Sequence, residues 1–98
     1  MAIARMLNIY YLARLRSEER VSLSRFRSAR LRYRRAQARF TGITLEGPHG
    51  ARRGEFDEAL TDMNVAMSAV ETARQHWVRV HMLRIGYEQR HRGFVLNR

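Results

Sequence analysis

Apolar residues recur along two long stretches of the chain at steps alternating between three and four. The first series runs Leu12, Leu15, Glu19, Ser22, Phe26, Ala29, Tyr33, Ala36 and Phe40. The second runs Phe56, Ala59, Met63, Ala66, Val70, Ala73, Trp77, Val80, Arg84, Tyr87, His91 and Phe94. A seam with this spacing belongs to helices wound around each other with a left-handed supercoil. Glycine and proline mark where the helices stop. Neither occurs in residues 1–41, whereas Thr41 to Gly54 (TGITLEGPHGARRG) holds four glycines and the only proline, and from Glu55 to Gln89 Gly86 alone interrupts. The pattern predicts an all-α fold, a long antiparallel two-helix coiled-coil hairpin. Its helices fall at roughly 2–41 and 55–91, with a loop at 42–54, and residues 1–98 form a single helical-hairpin domain. Gly42 is the expected stop of the first helix. Glu55, Asp57, Glu58 and Asp62 crowd the start of the second, where carboxylates complement the helix dipole.

Side-chain volumes choose a register. When the chain folds back so that paired residue numbers sum to 99, Phe40 meets Ala59, Ala36 meets Met63 and Tyr33 meets Ala66. Ala29 then meets Val70, Phe26 meets Ala73 and Ser22 meets Trp77, so each layer sets one large residue against one small one. A slip of one layer would stack aromatic on aromatic. Charges beside the seam agree: Arg25, Arg32 and Arg39 lie seven apart on the first helix, and Arg32 and Arg39 are expected to face Glu55 and Asp62 on the second. Exposed pairs of this kind are worth ~0.2–1 kcal/mol each and select orientation more than they stabilise.

Composition narrows the function. The formal charge is +10, from nineteen arginines against nine acids, with no lysine. Exclusive use of arginine fits a GC-rich coding sequence, and equally a need for bidentate contacts to phosphate or carboxylate. There is no cysteine, so no disulfide framework or thiolate zinc site supports the small core, and a reducing compartment is consistent. The longest apolar cluster, Ile9 to Ala13 (IYYLA), falls far short of the ~20 residues needed to span a bilayer. The first residues (MAIARMLNIYYLARLR) carry arginine and no acid through Arg16, a composition similar to an organellar targeting helix. They are read as part of the fold, with a mitochondrion or other organelle as the expected location and the bacterial cytoplasm as the alternative.

The densest chemistry is the arginine block Arg25, Arg27, Arg30, Arg32, Arg34, Arg35 and Arg39, seven positive charges in fifteen residues. Arg25, Arg27, Arg30, Arg34 and Arg35 form a candidate basic face for structured RNA or acidic protein, because arginines along a helix offer backbone contacts without base readout. The competing reading is a solvated coiled-coil exterior. Phe26, Tyr33 and Phe40 interleave with the block but fall on the seam, so they belong to the core. Glu55, Glu58 and Asp62 share a helical face that would suit a metal, yet the facing positions of the first helix carry Arg32 and Arg39 instead. His49, His76, His81 and His91 have no metal-ligand spacing. No nucleophile elbow, phosphate-binding loop or dinucleotide fingerprint occurs, and GPHGARRG reads as a turn with exposed arginines. Glu19 and Arg84 break the apolar seam one layer from direct opposition and read as a buried pair that fixes register. No enzymatic activity, catalytic residue, metal or cofactor is expected.

The two ends fit a freestanding hairpin least well. Ile3, Met6, Leu7, Ile9, Tyr10 and Tyr11 nearly encircle the first helix, and the chosen register brings Phe94 and Leu96 beside them. So apolar a tip marks a partner-binding end. The expected role is therefore a non-enzymatic accessory or structural subunit of a large multi-protein assembly, anchored by this end, with the arginine-rich helix against acidic protein or RNA. An RNA-binding ribosomal-type subunit is the first alternative. A third follows from residues 7–30 (LNIYYLARLRSEERVSLSRFRSAR), which resemble the opening of coiled-coil stalk proteins of bacterial secretion apparatuses without carrying a diagnostic motif.

Overall fold

The computed structural model of the chain describes residues 2–45 and 53–96, with side chains over 2–45 and 54–91. Helix α1 (Ala2–Leu45) and helix α2 (Arg53–Leu96) each contain 44 residues and pack on one another as an extended antiparallel hairpin. The body measures 72 × 20 × 13 Å, and its radius of gyration is 21.4 Å. A compact chain of this size would have a radius of gyration of about 13 Å. At 1.5 Å per residue a helix this long runs about 66 Å, so each spans nearly the whole rod. The described residues contain no strand, and neither described helix is apolar enough to cross a membrane.

Burial follows the seam. Each α1 position picked out by the three-and-four rule, from Leu12 to Phe40, is buried or half-buried, with Leu15 and Ser22 deepest. On α2, Ala59, Val80 and Tyr87 are buried, and Met63, Ala66, Val70, Ala73, Trp77, Arg84 and His91 are half-buried. Ser22 can occupy a core position because its hydroxyl donates to the Glu19 carbonyl at 2.9 Å. Cross-helix contacts fall on both sides of the register that sums to 99. Phe26 stacks on Trp77 at 6.1 Å, Phe40 packs on Phe56 at 5.3 Å, and Tyr11 meets Tyr87 edge-on at 4.9 Å. Seam side chains therefore lean toward the next layer as well as their own.

Both helices are longer than the glycine punctuation predicts. Gly42 does not stop α1. The seam continues to Ile43, which is half-buried, and Thr44 donates to the Phe40 carbonyl at 2.7 Å. Burying Ile43 offsets the ~1 kcal/mol that an interior glycine costs. α2 likewise begins at Arg53, includes Gly54, and continues past His91 to Leu96. Residues 46–52, with most of the GPHGARRG motif and His49, lie outside the described residues.

The flanking charges are partly rearranged. Arg39 reaches Asp62 at 2.9 Å and Glu58 at 3.6 Å. Glu58 takes the place expected of Glu55, because it lies one helical turn from Asp62 on the side facing α1. Neither Arg32 nor Glu55 forms an ion pair among the described residues.

The half-buried alanines leave a direct test of the packing. Ala66→Leu or Ala73→Leu is expected to lower unfolding free energy by ~1–3 kcal/mol through overpacking. Denaturant unfolding followed by circular dichroism measures it.

Candidate interaction surfaces

One third of the way from the termini, the seam turns polar. Glu19 accepts hydrogen bonds from Arg84, through Nε and, at 3.3 Å, through Nη2. His81 Nδ1 lies 2.6 Å from Glu19 Oε1, so against an ionised carboxylate it is the donor. Arg84 Nη1 also donates to Glu88 at 3.0 Å, and Arg16 donates to Glu88 at 2.9 Å. The side chains of Glu19 and Arg84 are only 16% and 21% exposed. The Arg84 bond holds the Glu19 carboxyl below the usual carboxylate range, against a desolvation effect that pushes it up, and His81 adds to the lowering. Hydrogen bonds from Arg16, then Arg84, lower Glu88 in the same way. Trp77 stacks on His81 at 5.0 Å and closes one side of the cluster. An open groove lined by Arg16, Glu19, Arg20, Leu23, Arg84 and Glu88 runs beside it, but all its charges except that of Arg20 are spent on one another. This is a clamp between helices.

Toward the termini the seam rule, continued backwards from Leu12, selects Asn8 and Arg5, both polar. Asn8 Oδ1 accepts a 2.7 Å hydrogen bond from the buried Tyr87 hydroxyl, and Tyr87 packs on His91 at 4.2 Å. The apolar residues of this end accordingly lie off the seam. Ile3, Met6, Leu7 and Tyr10 follow the i, i+3, i+4, i+7 spacing of a single helical face, directed away from α2. They are 61–75% exposed, and Ile9 falls within the same range. Tyr11, at 45%, is partly covered by Tyr87. The side chains of Phe94 and Leu96 lie outside the described residues.

Further along α1 comes the basic face. Between Arg20 and Leu45 there are eight arginines and no acid. Arg25, Arg27, Arg30, Arg34 and Arg35 are all exposed, and among the described residues only Arg39 of the eight forms an ion pair. Arg30 holds its guanidinium 5.7 Å from the centre of the Phe26 ring, a cation–π contact that ties it to the core. Arg20, Arg27 and Arg34 are seven apart and make a straight row with ~10 Å between charges. That row continues the face that carries Ile3, Met6 and Tyr10.

No family model matches the chain, and neither a curated protein nor a solved structure matches it. The sequence patterning had pointed to the apolar end and to the arginines, but not to their lying along one outer face. The missed signal was the pair Arg5 and Asn8, whose polarity turns the apolar residues outward. His81 was also missed as a member of the clamp. It lies four residues after Trp77 and three before Arg84, which places it on the flank of the seam facing Glu19.

Proposed function

We propose that the chain is a non-enzymatic accessory subunit of a large multi-protein assembly. It is seated by the apolar stripe of α1 and lays the arginine face of the same helix along an acidic partner surface. The exposed stripe Ile3, Met6, Leu7 and Tyr10 is the observation that carries this reading. Four large apolar side chains at helical spacing, each more than 60% exposed, form the kind of contiguous patch that soluble surfaces reserve for a partner. Acidic protein is favoured over RNA because a phosphate backbone uses the arginines and leaves the apolar row idle. The rod form, 72 Å long, favours a spacer role within that assembly.

The RNA alternative is tested on the arginines. Arg27, Arg34 and Arg35 are exposed and off the seam, so Arg→Gln changes there leave the hairpin intact. If the partner is RNA, the triple variant flattens the salt dependence of binding by nearly one unit of slope per lost phosphate contact. With a protein partner, the native complex survives nuclease treatment. Dissociation by nuclease would overturn the protein reading.

A further inference from the structure

The outer faces of the two helices complement each other along their length. On the outer face of α1 the order from the N-terminus is apolar, then basic: Ile3, Met6 and Tyr10, then Arg20, Arg27 and Arg34. On the outer face of α2 the order is acidic, then apolar: Asp57 and Glu71, then Val78, Met82 and Ile85 at i, i+4, i+7. Val78 and Met82 are exposed and Ile85 is half-buried, so this second stripe also faces away from the seam.

We infer that the outer face of α1 docks on the outer face of α2 of a second copy of this chain, with the two helices antiparallel. The inference rests on the reading of the Ile3–Tyr10 stripe as an interface, and it names the occupant. A single antiparallel alignment sets Ile3 on Ile85, Met6 on Met82 and Tyr10 on Val78. Without further adjustment it places Asp57 between Arg27 and Arg34. Other pairings of the same faces fail. A parallel α1–α2 pairing puts the apolar stripe on the acids and the arginines on Met82. A parallel α1–α1 pairing sets arginine on arginine, and an antiparallel one along the whole helix sets arginine on the apolar stripe. Asp57 is available: it forms no ion pair among the described residues.

The two faces lie on opposite sides of one hairpin, so each copy can engage two neighbours. Such a head-to-tail interface builds an open array, or a ring if the rotation between copies closes. In either, all hairpins point the same way.

The test uses the purified full-length chain, sedimentation equilibrium and light scattering. The wild type self-associates, and salt weakens it. Met6→Asp blocks one face and Met82→Asp the other; both residues are exposed, so helicity by circular dichroism stays at the wild-type level. Each variant alone is monomeric, and an equimolar mixture forms a dimer that does not grow. Arg27→Glu with Arg34→Glu also loses association, and adding Asp57→Arg restores it. A monomeric wild type, a Met82→Asp variant that associates like wild type, or a mixture that stays monomeric each overturns the proposal. The anchoring role is judged separately, by incorporation into the native complex in cells. If the purified chain is monomeric while Met6→Asp still prevents incorporation, self-pairing falls and anchoring stands. If the chain self-associates as described while Met6→Asp is incorporated normally, self-pairing stands and anchoring falls.

Discussion

Leu7→Asp together with Tyr10→Asp is expected to abolish incorporation of the chain into the proposed assembly while leaving the helicity of the isolated hairpin unchanged. Both side chains are more than half exposed, and neither takes part in a cross-helix hydrogen bond or aromatic contact among the described residues, so the hairpin loses little. The assembly loses the burial of two large apolar side chains, ~1.5–3 kcal/mol each, and must in addition desolvate two carboxylates. At 1.4 kcal/mol per factor of ten, affinity falls by at least about a hundredfold. Co-purification from cells, read by quantitative mass spectrometry of the tagged chain and its companions, measures the loss. Point variants are better than removal of the first dozen residues, which would also delete the Asn8 bond to Tyr87 and the half-buried Leu12 and so mix folding with docking. Tyr11 is a poor choice for the same reason, because its ring packs against Tyr87. Normal incorporation of the double variant would remove the apolar stripe from the proposed function.

The hairpin was legible because its information is local and periodic. From Leu12 to His91 a rule of three and four names the residues along the seam, and among the described residues the structure buries or half-buries all of them but Phe56, which is 37% exposed. Chain ends were less legible, because glycine is a weak stop when the next seam residue can still be buried, as Ile43 is after Gly42. The direction of the apolar end could have been read from the sequence, since Arg5 and Asn8 hold the seam positions there. Counting apolar residues all around the helix concealed it. The clamp was half legible: Glu19 and Arg84 stand out because they are charged residues in an apolar series. His81 enters from a flanking position that no seam rule selects, and Glu88 is drawn in by Arg16 across the pair. Contacts from flanking positions depend on how long side chains lean between layers, which residue spacing does not specify. The same limit accounts for Arg39 choosing Glu58 where Glu55 was expected.

The Glu19 clamp makes stability depend on acidity, and the direction follows from its folded-state pKa. Glu19 is held below its ordinary value, first by the Arg84 hydrogen bonds and then by His81, so the unfolded chain binds a proton at this site more readily than the folded one. Its stabilisation is complete above the ordinary carboxylate value and is lost as pH falls through the lower folded value. Glu88, lowered by Arg16 and Arg84, acts in the same sense. Unfolding free energy is therefore expected to decline on acidification below about pH 4.5, and Glu19→Gln flattens that decline. At neutral pH Glu19→Ala costs ~1–3 kcal/mol, because it leaves the guanidinium of Arg84, only 21% exposed, with Glu88 as its sole remaining partner. Replacing both members, Glu19→Leu with Arg84→Met, removes the charges together and extends the apolar seam, so the double variant returns to wild-type stability or exceeds it. Its acid dependence is also the flatter. Denaturant unfolding of the four proteins from about pH 3 to about pH 7 provides the measurement. Equal acid sensitivity in the wild type and Glu19→Gln would mean that the clamp contributes nothing to the fold.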